Sequence, residues 1–116
     1  VPVGNLIKAD RLDAIEKRVR GAGGEVVALL KNGSAFYSPA ASAIQMVESY
    51  LFDQRRVLAA AAKLNGEYGL KDLYIGVPVI IGRGGIEKVV EIELAEAERT
   101  ALHESAERVK ALLAIL

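Results

Sequence analysis

The chain contains no cysteine. That excludes disulfides, thiolate metal ligands and a cysteine nucleophile, and it fits a reducing compartment, so a cytoplasmic location is expected. Neither sign of charge is in excess: Lys+Arg 15 stands against Asp+Glu 15, a formal net charge of +0. This balance removes the electrostatic case for binding nucleic acid or another polyanion, which needs a basic surplus. Long apolar runs are missing too. The uninterrupted ones, such as Val57–Ala62 and Ala111–Leu116, fall far short of the roughly 18–20 residues that span a bilayer, so no membrane partner is expected. Methionine is absent from the first position: the chain starts at Val1 and its only methionine is Met46. With no charged and apolar leader at its start, it reads as a piece of a longer polypeptide rather than a retained signal peptide.

What is there suits a folded domain. The 116 residues are 52% hydrophobic and 26% charged, which is too apolar for disorder and large enough for a core. The first half carries helical spacing. Leu12, Ile15 and Val19 recur through Asp10–Arg20, with Asp10 placed as a cap and Asp13 as the acid at the third helical position. Gly21-Ala22-Gly23-Gly24 is expected to break or kink this helix, because each glycine costs about 1 kcal/mol relative to alanine. The pattern resumes over Glu25–Lys31 and stops at Asn32-Gly33, both tolerant of a left-handed backbone. Ser38-Pro39 is a start signal, serine as cap and proline at the first helical position. The helix that follows runs to about Phe52, with Ile44, Val47 and Leu51 on one face.

The second half changes period. The alanine-rich segment from Arg55 to Ala62 is open between helix and short buried strand. Asn65-Gly66 marks a turn. Asp72–Ile81 is rich in β-branched and aromatic residues and reads as a strand, with Pro78 placing it at an edge or a bulge. After a turn at Gly82-Arg83-Gly84-Gly85, Ile86–Leu94 alternates Val90, Ile92 and Leu94 against Glu91 and Glu93, a hairpin with one wet face. A closing amphipathic helix begins near Ala95, apolar at Leu102, Ala106, Val109, Leu113 and Leu116. Glu96 and Glu98 in its first turn and Lys110 near its end match the helix dipole. The fold class is therefore α+β: helices, a small antiparallel sheet, a closing helix.

No complete catalytic constellation emerges from the residues alone. Gly21-Ala22-Gly23-Gly24-Glu25-Val26 has valine at the third glycine position of a dinucleotide fingerprint and follows a helix. Gly82-Arg83-Gly84-Gly85-Ile86-Glu87 has Glu87 there and precedes another strand. Both read as punctuation, not as phosphate cradles. His103 is the sole histidine and sits in a charged helical run with no nucleophile or orienting carboxylate, so an exposed surface role is expected. One histidine and no cysteine leave only carboxylates as metal ligands. Strand alternation and a first helical turn account for Glu91, Glu93, Glu96 and Glu98 without a metal. Arg55-Arg56 and Lys63 read as solvated surface. Ser34, Ser38 and Ser42 have no histidine partner nearby, so nucleophilic catalysis is unsupported.

Three segments in order resemble a known family: Gly33-Ser34-Ala35-Phe36-Tyr37-Ser38-Pro39-Ala40-Ala41-Ser42-Ala43, Asn65-Gly66-Glu67-Tyr68-Gly69, and Gly76-Val77-Pro78-Val79-Ile80-Ile81-Gly82. They look like the malate dehydrogenases, in particular their lactate-dehydrogenase-like bacterial branch. The likeness continues through Glu87-Lys88-Val89-Val90-Glu91-Ile92 and back through Leu12-Asp13-Ala14-Ile15 and Gly23-Gly24-Glu25. It covers essentially the whole chain, 1–116, as the family's C-terminal domain.

The resemblance implies a parent NAD-dependent oxidoreductase acting on a 2-hydroxy acid, homo-oligomeric, with its NAD-binding Rossmann domain, substrate arginines and catalytic aspartate and histidine upstream of this region. His103 is not that histidine. Carried over, Ser34 and Ala35 lie beside the substrate pocket and Pro39 near the nicotinamide. No catalytic residue is carried over, and the chain alone is expected to be inactive. Departures are Ala59 and Ala60, where relatives often have proline and cysteine, and Ala95, where a polar cap is usual. Two other readings stand beside this one: a free-standing α+β interaction module, and a piece of a lactate dehydrogenase.

Overall fold

An unbroken stretch without proline between Pro2 and Pro39 lets the first long helix run further than its glycines suggest. In the computed structural model, which describes residues 1–115, a 3-10 turn at Val3–Asn5 leads into α1 over Ala9–Leu30. The expected break at Gly21–Gly24 does not occur. These glycines keep helical backbone, none of them at positive φ, and Arg18 and Glu25 bridge the segment with two side-chain hydrogen bonds of 3.3 and 3.1 Å. The cap also differs: Lys8 precedes the helix and makes no side-chain cap bond, so Asp10 lies inside the first turn, where its charge still suits the dipole. The helix stops at Lys31, left-handed at φ 62, whose N–H donates to the Val27 carbonyl at 3.0 Å.

Helix α2 spans Tyr37–Leu51 and begins ahead of its expected cap. The first bond is donated by Ala40 N–H to the Phe36 carbonyl at 2.9 Å, which puts Ser38 and Pro39 inside the first turn rather than at its entry. Proline loses nothing there, because the first amides of a helix have no intrahelical acceptor. The expected inward face is corrected as well. Ile44, Val47 and Leu51 are all exposed, whereas Met46 packs against the core and Ser49 is fully buried.

The chain divides into two compact units, Val1–Ser42 and Ala43–Leu116. The first contains α1 and the start of α2 and has no buried residue. The second holds every buried apolar side chain: Ala62, Leu64, Leu70, Leu73, Ile75, Val77, Val79, Ile81 and Ala106.

That core rests on an antiparallel sheet of order β1-β2-β3, formed by β1 (Arg56–Asn65), β2 (Lys71–Gly82) and β3 (Gly85–Val89). The ambiguous alanine segment is thus a strand, paired Leu58↔Val79, Ala60↔Val77 and Ala62↔Ile75. Side chains two apart share one face, so Ala62 and Leu64 join Leu73, Ile75, Val77, Val79 and Ile81 on the buried one. Pro78 sits on the central strand, not on an edge. Its carbonyl accepts from Val90 N–H at 2.8 Å. Because a strand residue aims its nitrogen and its carbonyl to the same side, the absent donor faces the place where β3 has already ended.

The second strand of the hairpin is shorter than its alternation implies. It ends at Val89, and the segment to Leu94 is extended chain held by a side chain. The Tyr68 hydroxyl donates to the Val90 carbonyl at 3.0 Å and accepts from Ile92 N–H at 3.0 Å. The Glu91 carboxylate accepts from Tyr68 N–H at 2.7 Å, a role distinct from strand alternation.

Helix α3 spans Glu96–Leu113 and lays Ala106, Leu102 and Val109 on the sheet. Ala95 offers no side-chain acceptor, so only the reciprocal half of a capping box forms, Ala95 N–H to the Glu98 carboxylate at 2.8 Å. Leu113, expected inward, is exposed, and Leu116 lies outside the described residues. Among the described residues no helix is long and apolar enough to cross a membrane.

Candidate substrate-side cleft

Within the first unit, the turn between α1 and α2 is shaped by its backbone. Gly33 adopts φ 86, where a Cβ would meet the Phe36 ring at 3.5 Å as well as the left-handed penalty. The Ser34 carbonyl then accepts from Phe36 N–H at 3.0 Å, which turns the chain into α2. The result is a cleft of about 360 Å³ lined by Ala22, Gly23 and Val26 from α1 and by Ala35, Ser38, Pro39 and Ser42.

Two of the three residues singled out from the sequence, Ala35 and Pro39, therefore share one wall. Ser34 does not line this cleft; it is exposed in the turn above it. The other lining residues were not singled out as site residues. Their signal was present, since Ala22 and Val26, like Ser38 and Ser42, are spaced one helical turn apart. It was hidden by the expectation that α1 ends at the glycines.

Chemically the cleft is a wall and not a reactor. It contains no carboxylate, imidazole or cation, and its only polar side chains are the hydroxyls of Ser38 and Ser42. It can receive a flat or small apolar group against Val26 and Pro39 and keep water off it. It cannot accept a proton at neutral pH. Nor does it carry a cradle for phosphates, so its residues fit the ring end of a dinucleotide but not its pyrophosphate.

The titratable residues lie elsewhere. His103 is exposed on α3 and borders a cavity of about 540 Å³ with Tyr68, Glu91, Ile92, Leu94 and Arg99. The Arg18–Glu25 hydrogen bonds, and then the opposite charge, hold the Glu25 carboxyl below its ordinary range and raise the Arg18 guanidinium. Glu67 is also held low, first by the N–H of Asn65, which its carboxylate accepts at 2.6 Å. Among the described residues no group of three or more His, Cys, Asp or Glu is placed to hold a metal ion.

A two-helix cleft of small residues beside a three-stranded antiparallel sheet and closing helix matches a known family along nearly its whole length. The family model for the lactate/malate dehydrogenase, alpha/beta C-terminal domain covers residues 3–114. The chain belongs to the lactate/malate dehydrogenase family, as this C-terminal domain.

Its relatives narrow the match to malate dehydrogenases. The chain is 58% identical over 116 residues, 100% of its own length, to a malate dehydrogenase of Bacillus cytotoxicus, of which it covers 37%. The malate dehydrogenase structure from Salinibacter ruber superposes with a TM-score of 0.90 at 47% identity, covering 97% of this chain and 37% of that one. A lactate dehydrogenase of Cryptosporidium parvum, solved with lactic acid and nicotinamide adenine dinucleotide, gives a TM-score of 0.88 at 38% identity, covering 97% of this chain and 35% of that one. The chain thus spans a little over a third of the length of the proteins it matches.

Proposed function

We propose that this chain serves as the C-terminal domain of an NAD-dependent malate dehydrogenase that interconverts malate and oxaloacetate in the cytoplasm, as part of a homo-oligomer, in the tricarboxylic acid cycle. The observation that carries the reading is the end-to-end likeness to malate dehydrogenases, 58% identity across the full chain in one case. The shared cleft of Ala35 and Pro39 supports it. When NAD is bound in the parent enzyme, it accepts the hydride from C2 of the 2-hydroxy acid. This chain's own residues bind and shield: Ala35, with Ser34 at the turn, borders the substrate side, and Pro39 with Val26 backs the nicotinamide side.

Proton transfer and the carboxylate clamps come from the upstream Rossmann-containing part, since the cleft holds no base and no cation. Malate is favoured over lactate because the relatives of highest identity are named malate dehydrogenase, whereas the lactate dehydrogenase structure shares 38%.

The test is a chimera. Fused after the remaining N-terminal part of the Bacillus cytotoxicus enzyme, the chain is expected to support NAD-dependent malate oxidation, while the 116-residue chain alone supports none. A folded chimera that oxidises neither acid would refute the reading. One that prefers lactate would transfer it to the lactate branch.

A further inference from the structure

Three glycines within four residues in the middle of a 22-residue helix demand a reason. The usual two are missing. None of Gly21, Gly23 and Gly24 has positive φ, and a Cβ built on each meets nothing within 4 Å. Alanine would fit at all three and would favour the helix. The segment is instead held from outside: Arg18 and Glu25, one on each side of it, pair through Nε–Oε2 at 3.3 Å and Nη2–Oε1 at 3.1 Å. A bond seven residues apart spans two helical turns, so it forms only while the intervening backbone stays helical. Ala22 and Gly23 of this segment, with Val26 just beyond it, form the α1 wall of the cleft that contains Ala35 and Pro39.

We propose that Gly21–Gly24 is a hinge in α1, held straight by the Arg18–Glu25 ion pair, and that bending it moves one wall of the cleft. In the straight form Arg18 and Glu25 are joined and the cleft has its present width. When the pair parts, the glycine backbone leaves the helix first, because nothing but its own hydrogen bonds retains it, and Val26 shifts relative to Pro39. The hinge stands by itself; only its consequence for substrate access rests on the reading of the cleft given above.

Hydrogen exchange on the 116-residue chain tests the hinge without any activity. Each Gly→Ala substitution is worth about fivefold in the opening equilibrium, so Gly21→Ala/Gly23→Ala/Gly24→Ala is expected to slow the amides of residues 22–28 by on the order of a hundredfold. Residues 11–17 are expected to change by less than about threefold, since propensity acts locally once a helix is formed. Glu25→Gln is expected to speed residues 22–28 by roughly two- to fivefold, and to do nothing in the triple-alanine background.

Uniform slowing along α1 would overturn the hinge, leaving the glycines as general weakeners of the helix. So would a triple variant that exchanges like the parent. A second readout uses the absence of cysteine: spin labels at Asp13→Cys and Leu29→Cys should report a distance near 24 Å when α1 is straight. The parent is expected to show this distance plus a shorter population, and the triple variant the straight distance alone. A single narrow distance in the parent overturns the proposal.

Discussion

The two units of this chain have similar helical content available to them and opposite fates for their apolar residues. In Ala43–Leu116 the strands and α3 close over a core in which Leu64, Leu73 and Val79 are essentially without solvent contact. In Val1–Ser42 no residue is buried, and Val19 and Leu29 stay 67% and 75% exposed on a helix of good periodicity. Burial of a large aliphatic side chain contributes about 1.5–3 kcal/mol, so stability in this chain belongs to the second unit. The cleft with Ala35 and Pro39 belongs to the first. The contrast separates scaffold from site: the sheet and α3 hold themselves, whereas the cleft helices carry apolar surface that their own unit does not cover.

The sharpest way to break that contrast is to remove equal side chains from the two units. Leu64→Ala is expected to cost about 2–5 kcal/mol in urea unfolding, and Leu29→Ala to stay within about 0.5 kcal/mol. Equal losses would mean that α1 shares a cooperative core after all. Next in size is Ser49→Ala. The Ser49 hydroxyl donates to the Ile81 carbonyl at 2.6 Å and accepts from Arg56 N–H at 3.1 Å. Its loss leaves two backbone groups unpaired in a buried place, for about 1–3 kcal/mol measured the same way.

Tyr68→Phe removes the hydroxyl that bonds Val90 and Ile92 and is expected to cost about 1 kcal/mol. Its signature should be local, with faster amide exchange at Ile92 and little change at Val79. A global change of the same size at both positions would contradict the latch described here.

The smallest effect is electrostatic. Glu67 titrates below its ordinary value of 4.5 because its carboxylate accepts from Asn65 N–H. A lowered folded value means the stabilisation is fully present above that ordinary value and is lost as pH falls through the lowered one. The parent should therefore exceed Glu67→Gln in urea midpoint near about pH 7, with the difference vanishing by about pH 2–3. A difference that persists in acid would assign the effect to packing.

Much of this was legible in the chain itself. Leu73, Ile75, Val77, Val79 and Ile81 alternate, and alternation admits one structure when one face is covered, so β2 was readable to within a residue at either end. The periodicity of α3 located Leu102, Ala106 and Val109 for the same reason. Ala35 and Pro39 were reached through resemblance, and the loop-to-helix signal around Ser38 and Pro39 came within a residue of where α2 begins. Three features were not legible, and each depends on a distant partner. The Gly21–Gly24 segment stays helical under an ion pair across two turns. Pro78 is tolerated in the central strand because β3 stops short of it. The segment after Val89 pairs with a tyrosine hydroxyl more than twenty residues earlier in the chain rather than with a strand.

The sequence by itself determined the α+β class, the kinds and order of its elements and the family, because periodicity and turn chemistry are local and family motifs are read directly. Tertiary structure alone decided which apolar faces are covered, where the hairpin ends, and that the glycine segment lines the same cleft as Ala35 and Pro39. Those outcomes depend on which residues meet across space. A local pattern can show that a helix has an apolar face, but only its neighbours decide whether that face is buried.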